Sequence, residues 1–128
     1  MLTRRFALAL VAAAAVLPAS LARAATALSS GTFTGASNHV TTGTATIAQE
    51  GEAHYVVLGD DFTFDGAPDP KVALGRDGYD ASTLMGPLKS NTGRSQYEIP
   101  SSIDVSAYNE VWIWCERFNV PLGVAKLA

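Results

Sequence analysis

Cysteine is almost absent from this chain of 128 residues, which contains only one, Cys115. A single cysteine cannot form a disulfide within the chain, so the disulfide framework that stabilises many small exported domains is excluded. Stability must therefore come from packing. The stretch around the cysteine, VWIWCERFNV, also holds both tryptophans of the chain. This segment carries the one thiol that is available for chemistry.

Long hydrophobic runs are confined to the N-terminus, which reads MLTRRFALALVAAAAVLPASLARAA. Arg4 and Arg5 precede an apolar run from Phe6 to Leu17, and an Ala-Arg-Ala sequence ends at Ala24. This is the three-part layout of a secretory signal. The apolar run is also shorter than the roughly 20 residues that a membrane-spanning helix needs. The N-terminus is therefore predicted to be an export signal.

Two export routes remain open for this leader. Its start, Thr3-Arg4-Arg5, partly resembles a twin-arginine signal, but Ala7 stands where that pattern has a strongly hydrophobic residue. By either route, we predict that residues 1–24 are a cleaved signal peptide and that residues 25–128 form a single exported domain. This domain is expected to be periplasmic or secreted, with no transmembrane anchor in its mature form.

Basic side chains are scarce in the predicted domain. The chain has nine Lys and Arg residues against twelve Asp and Glu residues, and Arg4, Arg5 and Arg23 lie in the leader. Removal of these three leaves six basic against twelve acidic residues, which is a net charge of −6. Such a charge argues against nucleic acids and anionic membrane surfaces as partners.

Helical periodicity is missing as well, because no window of the domain repeats its apolar residues with a period of 3.6. Short alternating segments bounded by turn residues indicate strands instead. The predicted strands are His39–Ala48 with an irregularity at Gly43, Ala53–Leu58, Asp61–Phe64, Lys71–Leu74, Ser95–Ile99, Glu110–Phe118 and Val124–Leu127. The pattern predicts an all-β fold, an antiparallel β-sandwich or jelly roll of about eight short strands.

The strand around Cys115 has two different faces. Since side chains alternate along a strand, Val111, Ile113, Cys115 and Arg117 share one face, and Trp112, Trp114, Glu116 and Phe118 share the other. The cysteine face begins apolar and ends in a cation, so we expect Cys115 at the boundary between core and water. Arg117 would then favour its thiolate form. The competing interpretation is that Cys115 is a small apolar residue of the core.

Four segments of the chain resemble the DM-thirteen domain, a domain proposed to transfer electrons. They are GTFTGASNHVTTGTATI, DDFTFDGAPDPKVAL, GRSQYEIP and YNEVWIWCERFNVPLGVAKL, and together they extend from Gly31 to Leu127. The resemblance implies a β-sandwich in which the cysteine of the family falls at Cys115. It also implies a redox role for this residue, either as a bare thiol or as a ligand to a haem-like group.

Other donor side chains allow further sites. His39, His54 and Met85 join Cys115 as ligand types of a copper centre, but no histidine follows the cysteine, so that spacing is absent. A covalent c-type haem is excluded because the chain has no Cys-x-x-Cys-His. Non-covalent haem bound through His39, Met85 or Cys115 remains open. We assign no metal ligands, and expect the aspartates from Asp60 to Asp69 to serve mainly as turn formers.

The sequence thus favours a redox or electron-transfer accessory protein over a stand-alone enzyme. In this hypothesis Cys115 is the functional atom, Arg117 tunes its ionisation and His39 is a second participant. Its partner would be a separate electron donor or acceptor, or another envelope protein. The alternative is a non-catalytic binding module for glycans or a protein, which would use the Trp112 and Trp114 face. A dimer linked through Cys115 is a third possibility.

Overall fold

The computed structural model describes residues 25–128, so the predicted signal peptide lies outside the described residues. This part of the chain forms β-strands and two short 3-10 turns, Ala81–Thr83 and Val105–Ala107. Among residues 25–128, no helix has both the length and the apolar character that crossing a membrane requires. The strands are β1 (Thr26–Gly35), β2 (Thr41–Thr42), β3 (Thr44–Glu50), β4 (Ala53–Leu58), β5 (Thr63–Phe64), β6 (Pro70–Gly75), β7 (Tyr79–Asp80), β8 (Ser95–Ile99), β9 (Glu110–Cys115) and β10 (Val120–Lys126).

Eight of these strands form one antiparallel sheet in the order β7-β6-β9-β10-β1-β3-β4-β8, and β2 and β5 form a small second sheet. The strand β1 belongs to both halves of the large sheet. Its residues Thr26 to Thr32 pair with β3, and its residues Phe33 to Gly35 pair with β10. The sheet curls, and the two halves enclose one core. The predicted all-β, sandwich-like fold is confirmed.

The core is built from alternate residues of the sheet, as the two-residue period of a strand requires. Along β9, for example, Val111 and Ile113 are fully buried, while Trp112 between them is only half-buried on the outer face. The largest fully buried side chains are Phe62, Leu58, Leu74, Ile113 and Leu122. Since the part of the chain described here has no disulfide, burial of this apolar surface is the main source of stability.

Two strands occupy the predicted ranges, Ala53–Leu58 and Ser95–Ile99, and the other five predicted ranges differ from the observed strands at one or both ends. The strand predicted from Glu110 to Phe118 ends at Cys115, because the next four residues form the turn that joins β9 to β10. Asn119 closes this turn with a φ of 55°, a conformation that asparagine tolerates better than most residues.

The longest strand, β1, is absent from the sequence-based assignment. Its sequence, TALSSGTFTG, is mostly polar and exposed, and its register shifts between Ala27 and Ser29. A bulge of this kind moves later side chains to the other face, so the apolar residues no longer alternate regularly. The strand β1 also pairs with two other strands, β3 and β10. The alternation of apolar residues in a sequence does not indicate which strands a segment pairs with.

Gly43 produces the predicted irregularity and separates β2 from β3. Its φ of 101° lies in the region that favours glycine, and a Cβ atom at this position would lie 2.5 Å from the Phe62 Cα and 2.6 Å from the Asp61 carbonyl oxygen. Glycine at this position therefore allows the backbone at Phe62 to pack directly against the break between β2 and β3. The Phe62 side chain is fully buried.

A matched pair of substitutions can separate the close contact at Gly43 from its backbone conformation. Gly86 has a φ of 104°, but a Cβ there would meet no atom within 4 Å. We expect Gly86→Ala to lower the free energy of unfolding by about 1–2 kcal/mol, from the backbone alone. Gly43→Ala should lower it by about 2–5 kcal/mol, because overpacking adds to the same backbone cost. Urea denaturation followed by tryptophan fluorescence measures both, and equal losses would contradict the role of the contact.

Candidate functional site

Cys115 is the last residue of β9, a strand with neighbours on both sides. It lies opposite Pro70 of β6 and Val120 of β10, and its side chain faces the core with 1% of its surface exposed. The expectation that Cys115 stands at the boundary between core and water is therefore wrong. Because Sγ is enclosed in this conformation, a disulfide to a second chain would first require a local opening. The predicted Cys115-linked dimer stays a prediction.

Arg117 lies in the turn beyond the strand and is exposed. The alternation that placed it on the cysteine face does not apply, because β9 ends two residues earlier. Its guanidinium carbon lies 6.0 Å from the centre of the Phe118 ring, which is a cation–π contact at the surface. Among residues 25–128 we find no ion pair of Arg117, and its influence on Cys115 stays a prediction.

His39 is held by Asp65. The His39 Nδ1 and Asp65 Oδ1 atoms are 2.8 Å apart, and Asp65 Oδ2 accepts a 2.9 Å hydrogen bond from the Val40 N–H. The pKa of Asp65 is lowered, first by the Val40 N–H and then by the hydrogen bond to His39, because both favour the charged carboxylate. The His39 ring also packs against Phe64, with the ring centres 5.7 Å apart.

A five-residue segment, Asp65–Asp69, connects the surroundings of His39 with those of Cys115; we call it the 65–69 loop. At its start, the Asp65 N–H donates a 3.1 Å hydrogen bond to the Val40 carbonyl. At its end, the Asp69 carbonyl accepts a 3.1 Å hydrogen bond from the Glu116 N–H, directly after Cys115. The structure thus brings His39 and Cys115 to the same end of the sandwich, at opposite ends of this loop.

Lys71 is the charged group at this end that the sequence analysis missed. Its Nζ donates to the Glu116 carboxylate, and it lies 3.2 Å from Asp69 Oδ1. The pKa of Lys71 is raised, mainly by the hydrogen bond to Glu116 and then by that to Asp69. The sequence gives only a weak signal for this cluster. Charged residues of opposite sign lie at the start of β6 and just after the end of β9, but these two positions are far apart in sequence.

Trp112 and Trp114 lie half-buried on the outer face of β9, behind Cys115. The Trp114 ring stacks on Tyr79 with 3.8 Å between centres, and it meets Trp112 edge to face at 5.9 Å. Both indole N–H groups donate within the protein, to Glu110 Oε1 and to Asn119 Oδ1. The two rings therefore belong to an aromatic cluster in which each is partly covered, and the binding-module alternative stays a prediction.

Residues 32–127 match the family described as Electron transfer DM13. The chain belongs to this family. The match includes Cys115, His39 and the whole 65–69 loop, and it confirms the resemblance to the DM-thirteen domain. No curated protein and no solved structure matches the chain.

A ligand to a haem-like group is one of the two roles that the family resemblance implies for Cys115, but the candidate ligands of this DM13 domain do not fit such a group. Cys115 Sγ faces a core filled by side chains, and Met85 packs against that core. A groove of about 200 Å³ lies on the outer face of the other half-sheet, where Tyr55, Val57 and Arg94 line it, and none of His39, Met85 and Cys115 is among its lining residues. Within residues 25–128, no three His, Cys, Asp or Glu side chains converge as metal ligands do.

The remaining candidate residues have local roles. His54 lies half-buried on β4, opposite Gln49 and Ile99 in the sheet. Asp61 accepts hydrogen bonds from the Thr44 N–H at 3.0 Å and the Thr44 hydroxyl at 2.8 Å, which lower the pKa of its carboxyl. The aspartates of this region thus fix turns through hydrogen bonds, as aspartates in turns commonly do.

Two substitutions at Cys115 test how apolar its surroundings are. Cys115→Ala removes one atom from the core and should lower the free energy of unfolding by about 1 kcal/mol. Cys115→Ser places a hydroxyl where the thiol is 1% exposed, and we expect a larger loss, about 2–3 kcal/mol, because a buried polar group without a partner is costly. Urea denaturation measures both losses. A Ser variant as stable as the parent protein would contradict the burial of Cys115.

Proposed function

We propose that this DM13 domain is an exported redox protein whose reacting atom is Cys115 Sγ, acting as a bare thiol. The observation that carries the proposal is the position of the only thiol of this electron-transfer family member. It occupies the last residue of an inner strand, opposite Pro70 at the start of β6 and Val120 at the start of β10. Arg117 and His39 are assigned supporting roles, in favouring the thiolate and in accepting its proton.

The reaction that fits one cysteine is exchange with a disulfide of another molecule. The Cys115 thiol first loses its proton, and the thiolate attacks one sulfur of the partner disulfide. A new bond forms between Sγ and that sulfur, the partner's S–S bond breaks, and its second sulfur leaves as a thiolate that takes up a proton. Cys115 is oxidised and the partner sulfur that leaves is reduced. Because the chain has no second cysteine, the mixed disulfide must be resolved by another thiol.

Glutathione redox buffers test this proposal with a defined probe. The native domain is brought to equilibrium at a series of glutathione-to-glutathione-disulfide ratios, and its mass is measured after acid quenching. We expect one glutathione adduct per chain, whose fraction follows the ratio reversibly and which is absent from Cys115→Ala. Arg117→Gln should shift this fraction, since it removes the nearest cation in sequence. A native protein that forms no adduct at equilibrium, at any ratio, would refute the thiol role.

The same protein, purified from its native envelope, separates the thiol role from the ligand role. We expect no Soret or charge-transfer band in its absorption spectrum, because its donors do not fit a haem. A band that is present in the parent protein and lost in Cys115→Ala would instead make Cys115 a ligand to a prosthetic group. That outcome would support electron transfer through a prosthetic group bound by Cys115 instead of through a bare thiol.

The leader supports export of the domain. The first strand begins at Thr26, so cleavage after Ala24 would leave every described strand whole. We expect Ala25 as the first residue of the protein recovered outside the cytoplasm, as determined by intact mass. Replacing both leader arginines, Arg4→Lys with Arg5→Lys, should stop export by the twin-arginine route but not by the general secretory route. A protein that retains Met1 in the cytoplasmic fraction would contradict export.

A further inference from the structure

We propose that the 65–69 loop is the gate to Cys115: it opens as a unit, while the sheet stays folded, and admits a small thiol or disulfide to the buried Sγ. The inference rests on the proposed function, because a redox thiol must be reached by its partner. It also explains how a side chain with 1% exposure can react without unfolding of the domain.

The route to Cys115 follows from where the strands end. β9 ends at Cys115, β6 begins at Pro70 opposite it, and β10 begins at Val120 on its other side. The three neighbouring strands therefore end in the same row. Beyond this row the chain continues as connecting segments rather than as sheet, and Ala67 of the 65–69 loop, three residues before Pro70, packs against the core. Cys115 thus lies at the edge of the sheet into which this loop leads.

The loop is hydrogen-bonded only at its two ends. Asp65 holds the first end through His39 and Val40, and Asp69 holds the second end through Lys71 and the Glu116 N–H. Among the described residues, no hydrogen bond is found for the three residues in between, Gly66-Ala67-Pro68. Gly66 has a φ of 104°, a conformation that leaves the backbone free to change at this point.

The loop has fewer backbone anchors than the adjacent connecting segment, because only the Asp65 N–H and the Asp69 carbonyl form backbone hydrogen bonds. The side chains of His39 and Asp65 are 28% and 41% exposed, and exposed ion pairs contribute little to stability. The adjacent segment from Met85 to Leu88 instead joins β6 through three backbone hydrogen bonds, one of them from the Met85 N–H to the Val72 carbonyl at 2.8 Å. Separating β9 from its neighbours would break a hydrogen-bonded ladder on both sides. Of these two connecting segments, the 65–69 loop is therefore the one that opens more easily.

The rate at which native Cys115 reacts with iodoacetamide tests the gate. If the loop opens locally, the rate should depend only weakly on urea below the unfolding transition, because little surface is exposed in the open state. Asp65→Asn removes the charged anchor and should raise the rate about fivefold, the effect of losing an exposed ion pair of about 1 kcal/mol.

Asp104→Asn is the matched control. Asp104 accepts from the Ser106 N–H and hydroxyl at the opposite end of β9, so the same chemical change is made far from Cys115. It should leave the iodoacetamide rate unchanged when urea curves show the two variants to be folded. The gate is refuted if the parent rate follows global unfolding in urea, or if Asp65→Asn and Asp104→Asn have the same effect.

The two proposals fail separately in these measurements. Fast, weakly urea-dependent alkylation without a glutathione adduct at equilibrium would leave the gate and refute the redox role of the thiol. A reversible glutathione adduct that forms only at the rate of global unfolding would leave the redox role and refute the gate. Alkylation by iodoacetamide needs the thiolate and access to it but no redox partner, so it tests the gate independently of disulfide exchange.

Discussion

The fold depends on the strand that both halves of the sheet share. Residues Thr26 to Thr32 of β1 pair with β3, and the last three residues pair with β10, so β1 is the place where the sheet turns around its core. Gly31 lies at this turn, where a Cβ atom would collide with the Lys126 carbonyl. A side chain there would push β10 away from β1. The two halves could then no longer enclose a common core, and the main source of stability in the described domain would be lost.

The burial of Cys115 follows from the same arrangement. Because β10 is fixed against β1, its other neighbour, β9, becomes an inner strand with β6 beyond it. An inner strand has no free edge, so a side chain on its core face can be approached only where the strand ends. Cys115 is the residue at that end, opposite Pro70 and Val120. The sheet therefore determines that the thiol is buried, and the loop connections determine how it can be reached.

The parts of the structure that the sequence predicted are local. The ranges Ala53–Leu58 and Ser95–Ile99 alternate regularly between clear turns, and the inward direction of Cys115 follows from the alternation in its strand. The contacts of the candidate site instead join residues that are far apart in sequence. His39 and Asp65 are 26 residues apart, and Lys71 and Glu116 are 45 apart, so their pairing depends on how β5, β6 and β9 come together. The placement of Arg117 on the cysteine face does not hold, because the alternation of side chains ends with the strand. The apolar tryptophans gave the segment a strand-like pattern, so the turn that follows was not predicted.

A buried thiol fits the compartment that the leader predicts. In an oxidising space, an exposed cysteine without a partner is open to irreversible oxidation and to disulfides with unrelated proteins. Enclosing Sγ in the core lowers both rates by the fraction of time that the site is closed, and a partner that binds the open loop would react preferentially. Such an arrangement requires a sheet that stays folded around the thiol and a loop that can open. In this DM13 domain the two requirements fall on different residues, since β9 is paired with a strand on each side of Cys115, while Gly66-Ala67-Pro68 of the 65–69 loop form no hydrogen bond among the described residues. Selectivity would then come from the rare opening of the loop rather than from the reactivity of the thiol itself.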